Sequence, residues 1–263
     1  MPDLFLQLLD EAEDRSERSG ITPAPLPEAD AISLLLESEI TASKLIPWGS
    51  NYSFAVALET RDGREQLAVY KPRAGEAPLY DFPDGTLFLR EVASYHLSKL
   101  LGWDIVPPTV IREGPHGVGS VQLYVEPMQE SESWDSQRYW GDCTLEIERL
   151  VLFDHLANNA DRKLSHCLRD VRGKVWGIDH GLTFNEVPKL RTALWQFVGS
   201  EMNPELRDDL GRLKRKEAEV RKSLQPYLSR GEVTALMQRA ERFLEMGRYP
   251  PLNPRRNIPY GWW

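Results

Sequence analysis

The pattern of apolar and polar residues changes near residue 126 of the 263-residue chain. Before that point, short apolar or alternating runs are separated by turn residues, which is typical of β-strands. The runs Asn51–Glu59 and Gln66–Lys71 flank an Asp-Gly turn at 61–64 and predict a hairpin. A run over 109–125 is interrupted by Gly114–Gly119 and predicts another hairpin, and the prolines before it favour a strand at a sheet edge.

Apolar residues at helical spacing predict helices in this region and after it. In the segment 86–101 they fall three or four positions apart, Thr86 is a candidate N-cap, and Gly102 suits the position that follows a helix. A similar repeat over 145–156 predicts a buried helix. Further helices are predicted over 188–200 and 205–248.

These elements predict an α+β protein with two lobes. We expect an N-terminal helix with a proline-rich linker, a β-rich N-lobe, an inter-lobe linker and a mostly helical C-lobe. In that order they cover residues 1–29, 30–126, 127–139 and 140–263. A ligand cleft is expected between the lobes, since ligand sites commonly form where two domains meet.

The β-rich half contains candidates for nucleotide binding. Lys71 ends a predicted strand, and Glu91 lies beside the apolar stripe of the helix that follows it. A strand lysine paired with a helix glutamate is the arrangement that places a lysine on the α/β-phosphates of ATP. One hairpin earlier, the small-residue turn of Gly49, Ser50 and Asn51 could let backbone N–H groups approach phosphates. The order of these residues along the chain predicts a nucleotide site.

Two aspartates follow in the second half of the chain. Asp161 comes after the predicted helix, and Asp179 follows a short predicted hairpin over 167–178 that can fold it back towards Asp161. Phosphoryl transfer needs one carboxylate beside the attacking hydroxyl and another that holds a divalent metal against the nucleotide phosphates. Asp154, near the end of the preceding helix, is a candidate support for the Asp161 loop.

Seven short segments between residues 45 and 200 carry a family pattern. They are Gly49–Phe54, Ala68–Pro72, Asp81–Leu87, Arg90–Glu91, Ser120–Glu126, Asn158–Lys163 and Trp176–Gly181. Together they resemble the phosphatidylinositol 3-/4-kinase-like branch of the protein-kinase-like fold, and within it a bacterial, largely actinobacterial, kinase-like group. The resemblance implies an atypical two-lobe kinase fold and ATP-dependent transfer of phosphate to a hydroxyl group.

The resemblance also implies a role for each candidate residue. Lys71 is similar to the ATP-binding lysine of the family, and Glu91 to its ion-pair partner. Asp161 is similar to the aspartate of the catalytic loop, and Asp179 to the metal-binding aspartate. The implied adenine-binding hinge consists of Leu123, Tyr124, Val125 and Glu126. The implied cofactors are ATP and either Mg²⁺ or Mn²⁺.

His166 departs from the family pattern. Lipid kinases carry an asparagine five residues after the catalytic aspartate as the second metal ligand, whereas this chain has His166 at that place. The resemblance therefore implies that Asp179 and His166 are the metal ligands. Imidazole suits Mn²⁺ or Zn²⁺ better than Mg²⁺, which prefers hard oxygen ligands, so the histidine bears on which metal is used.

Two alternative functions use the same residues. A nucleotide-binding pseudokinase, or an enzyme that transfers AMP, would agree with His166 and with a turn that has a single glycine. A transition-metal hydrolase would need three or four ligands that converge on one ion. Its candidate ligands are His155, His166, His180, Asp154, Asp161 and Asp179. The hydrolase ranks third, because it leaves Lys71 and Glu91 without a role.

Composition limits the setting in which this chemistry would occur. The net charge of −8 argues against nucleic-acid partners and against anionic lipid surfaces, so a soluble polyol, sugar or protein acceptor is favoured over a lipid. Two cysteines cannot form a disulfide framework, and no apolar run approaches the length of a membrane span. With no basic signal region at the N-terminus either, a cytoplasmic location is predicted.

Overall fold

The computed structural model describes residues 26–47, 49–60, 65–128 and 135–260. The predicted N-terminal helix and most of the linker after it lie outside these ranges, as do the hairpin turn at 61–64 and part of the predicted inter-lobe linker. The chain divides into two compact units. The first comprises Met1–Val92 with Pro107–Glu126, and the second comprises Ala93–Val106 with Pro127–Trp263.

The first unit is built on a five-stranded antiparallel sheet. Its strands are β1 (Ile40–Ile46), β2 (Ser53–Glu59), β3 (Glu65–Pro72), β4 (Thr109–Gly114) and β5 (Gly117–Leu123). Their order is β1-β2-β3-β5-β4, so β4 is an edge strand, as the prolines before it predict. Phe54 pairs with Tyr70 between β2 and β3, and Lys71 pairs with Ser120 between β3 and β5.

The two faces of this sheet carry different side chains. One face packs against helix α1 (Glu28–Glu37), a helix that the sequence pattern did not predict. The buried residues on that side are Leu35, Val56, Leu58, Ala68, Tyr70, Val110 and Val121. The other face contains the smaller cluster of Ala55, Ala57 and Leu67. Because side chains alternate along a strand, Lys71 shares this second face with Leu67.

Helix α2 (Leu87–Leu101) contributes residues to both units. Thr86 occupies the predicted N-cap position, since its carbonyl accepts a hydrogen bond from the N–H of Arg90 at 3.3 Å, but among the described residues its side chain makes no capping bond. The Thr86 hydroxyl donates to a nearby backbone carbonyl, and the first-turn N–H of Phe88 donates instead to the Glu76 carboxylate at 2.8 Å. Gly102 follows the helix as predicted, with a φ of +72° that glycine adopts without strain. The loop after β3 therefore fixes the start of this helix.

The second unit is mostly helical. It contains α3 (Ser136–Gly141), α4 (Leu145–Ala157), the hairpin of β6 (Cys167–Arg169) and β7 (Val175–Gly177), α5 (Pro204–Arg215), α6 (Glu217–Leu224) and α7 (Arg230–Met246). The buried helix α4 and the short hairpin confirm two predictions, whereas the stretch predicted over 205–248 forms three helices. None of the helices in the described ranges is both long and apolar enough to cross a membrane. A β-rich first unit and a helical second unit confirm the predicted α+β class.

The predicted helix over 188–200 is wrong. The backbone N–H groups of this segment bind elsewhere: Lys189 donates to Asn158 Oδ1, Arg191 to the carbonyl of Asn159, and Ala193 to the carbonyl of Arg162. Because these N–H groups donate to acceptors in a neighbouring segment, they cannot also donate to the carbonyl groups one turn earlier, as a helix requires. The segment therefore runs beside the loop that contains Asp161.

Candidate functional site

The predicted lysine–glutamate pair forms in the first unit. The ammonium group of Lys71, near the end of β3, contacts the carboxylate of Glu91 in the second turn of α2. The exposed fraction is 3% for the Glu91 side chain and 25% for Lys71. A buried carboxylate needs a charged or hydrogen-bonding partner. Glu91 therefore fixes the direction of the lysine, whose side chain stays partly exposed.

The sheet face that carries Lys71 has small side chains on the neighbouring strand. Ala55 and Ala57 lie on the neighbouring strand, and Tyr124 packs at the edge of the same cluster. Burial, and to a smaller extent Glu126, raise the pKa of Tyr124 to about 12, so its phenol stays neutral at ordinary pH. A mainly apolar surface with small side chains beside one lysine suits a nucleotide base and its phosphates.

The turn Gly49–Asn51 is held by the loop after β3. The Oδ1 atom of Asn51 accepts a hydrogen bond from the N–H of Ala77 at 2.8 Å, and the N–H of Tyr52 donates to the carbonyl of Gly75 at 2.9 Å. Gly75 is required for this approach, because an added Cβ would lie 2.6 Å from the carbonyl oxygen of Tyr52. Asn51 thus has a structural role, and phosphate contacts from this turn stay a prediction.

The predicted adenine-binding segment Leu123–Glu126 ends the sequence of the first unit. The N–H of Leu123 donates to the carbonyl of Pro108 at 2.9 Å, and that of Tyr124 donates to the carbonyl of Leu67 at 3.1 Å. The N–H groups of Val125 and Glu126 make no backbone hydrogen bond within the described part of the chain. Val125 and Glu126 are therefore the residues of this segment whose backbone could bind adenine.

Asp161 lies in the loop after α4 in the second unit. Its Oδ2 atom is 3.0 Å from the ammonium group of Lys163, whereas its Oδ1 atom is buried and has no hydrogen-bond partner among the described residues. Burial raises the pKa of Asp161, Lys163 and His166 oppose this shift, and Asp179 adds to it. Since leaving a buried acceptor unpaired costs free energy, this oxygen is suited to accept a hydrogen bond from a ligand.

The ring of His166 brings Asp161 and Asp179 together within the second unit. Its Nδ1 atom lies 3.0 Å from the carbonyl oxygen of Asp161, and its Nε2 atom lies 3.3 Å from Oδ2 of Asp179. The φ angle of Asp179 is +59°, a left-handed conformation that is uncommon for residues other than glycine. Three of the predicted site residues are therefore neighbours in space.

The same contacts test whether this place could hold a divalent metal. When Nδ1 of His166 donates to the Asp161 carbonyl, the neutral ring presents the lone pair of Nε2 towards the Asp179 carboxylate. Two acceptors that face each other can be bridged by a cation, so these residues fit a metal. In the described ranges, no three His, Cys, Asp or Glu side chains are grouped to hold one. Further ligands would come from phosphates and water, as is usual for Mg²⁺.

The other histidines of the hydrolase hypothesis lie in separate environments. His155 is buried beside the rings of Phe243 and Tyr249, and burial lowers its pKa to about 4. His180 is fully buried, and its Nε2 atom accepts a hydrogen bond from Arg162 at 2.7 Å. Neither joins a set of three metal ligands among the described residues. The geometry gives the hydrolase no support.

Two residues beside Asp161 were not among the predicted site residues, although both lie in the segment Asn158–Lys163. Lys163 contacts its carboxylate, and Arg162 is fully buried in a two-point contact with Asp154, at 2.8 and 2.9 Å. The contacts of Asp154 confirm its predicted support of this loop. Proximity to Asp161 was the available signal, but charge alone does not distinguish a buried arginine from a surface one.

Comparison with known proteins identifies the fold. No protein-family model matches the chain. The Golgi casein kinase with Mn/ADP bound is similar with a TM-score of 0.53 and 16% identity, over 83% of this chain and 74% of the kinase. Hydra Fam20 with sugar gives 0.54 and 14%, over 88% and 92%. The Helicobacter pylori proinflammatory kinase CtkA gives 0.50 and 13%, over 81% and 94%. These similarities confirm the predicted kinase-like fold.

One relative is similar in sequence over nearly its whole length. Protein Rv2133c of Mycobacterium tuberculosis (strain ATCC 25618 / H37Rv) is 34% identical over 272 aligned positions, which cover 88% of this chain and 95% of the relative. Identity at this level over most of both chains indicates common descent and a shared fold. The chain belongs to the family of protein Rv2133c.

Proposed function

We propose that this protein is an ATP- and divalent-metal-dependent phosphotransferase that acts on a hydroxyl group. The observation that carries the proposal is Asp161, which combines a buried carboxylate oxygen that has no partner among the described residues with a lysine contact and a nearby second aspartate. The pair of Lys71 and Glu91 and the kinase-like fold support it independently. The sequence motifs favour the phosphatidylinositol 3-/4-kinase-like branch within that fold.

Each residue has a defined part in the proposed reaction. The acceptor oxygen forms a bond to the γ-phosphorus while its proton passes to Oδ1 of Asp161, and the bond from phosphorus to the bridging oxygen of ADP breaks. Lys163 offsets the negative charge of the transferred group, and Lys71 binds the α/β-phosphates. Asp179 and His166 would hold a metal, which neutralises phosphate charge when bound.

Net charge and the fold neighbours support a proposal for the class of acceptor. A net charge of −8 disfavours an anionic lipid surface as substrate. One neighbour is a casein kinase, and another was solved with a sugar. We therefore propose a protein, a sugar or another soluble polyol as acceptor.

A second candidate is nucleotide binding without phosphate transfer, or transfer of AMP. His166 favours it, because both ring nitrogens already contact the protein at the place where lipid kinases have a second metal ligand. Mass spectrometry of acceptors after incubation with ATP distinguishes the outcomes. A phosphoryl increment supports the kinase, an adenylyl increment supports AMP transfer, and nucleotide binding with neither increment supports a pseudokinase.

Thermal unfolding with nucleotide tests the proposal directly. Saturating ATP with Mg²⁺ or Mn²⁺ should raise the melting temperature, since a ligand at a hundredfold excess over its Kd stabilises the native state by about 2.7 kcal/mol. Lys71→Met should remove most of this shift. Lys44→Met, which changes a lysine of edge strand β1, should keep it. The absence of any shift with wild-type protein and both metals would remove the kinase proposal.

A further inference from the structure

A buried ion pair lies directly beside the proposed catalytic residues in the second unit. The side chains of Arg162 and Asp154 are 0% and 1% exposed and are joined by two hydrogen bonds. Taking both charges out of water costs free energy that their attraction only partly offsets, so a buried pair is weak evidence of a stabilising role. The position of this ion pair suggests that it orients the neighbouring site residues.

The remaining donors of Arg162 bind the two residues that flank Asp179 in the chain. Its Nη1 atom donates to the carbonyl of Ile178 at 2.9 Å, and its Nη2 atom donates to the ring of His180 at 2.7 Å. Nη1 also donates to the carbonyl of His166 at 3.1 Å. The residues immediately before and after Asp179 are thus attached to one buried guanidinium group, and Asp179 itself has the left-handed φ.

The partner carboxylate is attached to the Asp161 segment. Oδ1 of Asp154 accepts a hydrogen bond from the amide of Asn159 at 2.9 Å, and Oδ1 of Asn159 accepts one from the backbone N–H of Asp161 at 3.0 Å. Asn159 is fully buried as well. One ion pair therefore connects the backbone at Asp161 to the carbonyl of Ile178 and the ring of His180, the two residues next to Asp179 in the chain.

We infer that Arg162, held by Asp154, is a positioning residue that keeps Asp179 in its left-handed conformation and sets its carboxylate relative to Asp161. The inference rests on the proposed function, because it assigns Asp179 to the metal. An arginine is needed since its planar group offers five donors in a fixed fork. A lysine could pair with Asp154 but could not also reach both carbonyls and His180.

Arg162→Lys tests this role, with Arg239→Lys as the matched control. Arg239 is also buried and donates to the carbonyls of Leu156 and Asn185, which lie outside the Asp161 and Asp179 segments. Calorimetry should measure ADP affinity with Mn²⁺ and with a chelator. Losing an interaction that orients a metal ligand typically weakens metal affinity about tenfold or more. Arg162→Lys should therefore lose at least that much of the Mn²⁺-dependent affinity, while its metal-free affinity stays unchanged.

Arg239→Lys should keep the Mn²⁺-dependent affinity even if its melting temperature falls. Equal losses in the two variants, or no loss in Arg162→Lys, would overturn the inference. If Arg162→Lys does not fold, Asp154→Asn takes its place with the same expected direction, because it weakens the hold on the guanidinium group and keeps one accepting oxygen.

Amide hydrogen exchange of the ligand-free protein provides a readout that does not depend on nucleotide. Arg162→Lys should speed exchange at 178–181 more than in the rest of the second unit, and Arg239→Lys should not. Unchanged exchange at 178–181 in Arg162→Lys would also overturn the inference. If wild-type protein binds neither ADP nor Mn²⁺, the proposed function fails, while the exchange comparison still decides whether Arg162 positions Asp179.

Discussion

The two units hold their candidate residues by different means. In the first unit, one strand lysine meets one buried helix glutamate, and the lysine keeps an exposed side. In the second unit, Asp161 and Asp179 sit on irregular backbone that is held by His166 and by the buried pair of Asp154 and Arg162. Regular elements position the first pair, whereas side-chain hydrogen bonds to the backbone position the second.

This difference predicts how each region responds to substitution. A strand and a helix keep their geometry when one side chain changes, so substitutions at Lys71 should weaken nucleotide binding without displacing either element. Their cost in stability should come from leaving the buried Glu91 carboxylate without its charged partner. Loops have fewer bonds of their own to define their geometry, and a buried charge that loses its partner cannot reach solvent. Substitutions in the second unit should therefore fall into two classes. Some should lower the rate of phosphate transfer, and others should lower the stability of the loops that hold Asp161 and Asp179.

Asp161→Asn should give the largest effect on turnover. An amide cannot take up the proton of the acceptor, and general base contributions are typically 10²–10⁴-fold, so the rate of phosphate transfer should fall by about that factor. Nucleotide affinity should stay close to the wild-type value because the carboxylate acts on the acceptor. Rates of ATP consumption and calorimetric ADP affinity measure the two quantities.

Asp208→Asn is the matched control for that substitution, since Asp208 is exposed on α5. It should change neither rate nor affinity. If Asp161→Asn instead abolishes metal-dependent binding while Asp179→Asn has no effect, the roles of the two aspartates are reversed.

Asp154→Ala should cause the largest loss of stability. It leaves Arg162 buried without its charged partner, and breaking a buried pair in this way costs about 3–5 kcal/mol. Asp209→Ala is the comparison, because Asp209 is also buried but its cationic partner Arg212 is largely exposed and can turn to water. This variant strands only a neutral donor, the indole N–H of Trp103, which costs about 1–3 kcal/mol. Urea unfolding should show the smaller decrease for Asp209→Ala. Equal decreases would contradict the idea that Asp154 is needed because Arg162 is buried.

Glu91→Gln should have an intermediate effect that is confined to nucleotide binding. The lysine can still reach phosphates, but an uncharged partner directs it less well, so ADP affinity should fall by about tenfold, or 1.4 kcal/mol. Glu205→Gln removes a carboxylate from an exposed pair with Arg149 and should leave affinity unchanged. An undiminished affinity in Glu91→Gln would show that the contact with Lys71 is not used for binding.

Residues on regular elements were the ones that the sequence could locate. Lys71 and Glu91 lie on a strand and a helix whose apolar spacing is visible, and the structure places them in contact. Helix α4 and the β6–β7 hairpin were predictable for the same reason. Spacing specifies these elements because their side chains alternate or repeat with a fixed period.

The spacing of apolar residues did not predict the contacts that hold Asp161 and Asp179 in the second unit. Segment 188–200 looked helical because its apolar residues fit a helix, yet its N–H groups bind the Asp161 loop. Arg162 was not among the predicted site residues, and its burial depends on Asp154, eight positions earlier. Helix α1 was overlooked beside a proline-rich stretch. Such features depend on tertiary hydrogen bonds, which leave no periodic trace in a sequence.

His166→Asn should give the smallest effect and is the most specific test of the second region. If the Nε2 atom binds the metal beside Asp179, replacing the ring with the amide that lipid kinases carry there supplies a hard oxygen ligand instead. The ratio of activity with Mn²⁺ to activity with Mg²⁺ should then fall by a few-fold. His116→Asn, at the exposed β4–β5 turn, should leave the ratio unchanged. If His166→Asn lowers activity equally with both metals, the ring only connects Asp161 and Asp179, and the metal is bound by Asp179 without it.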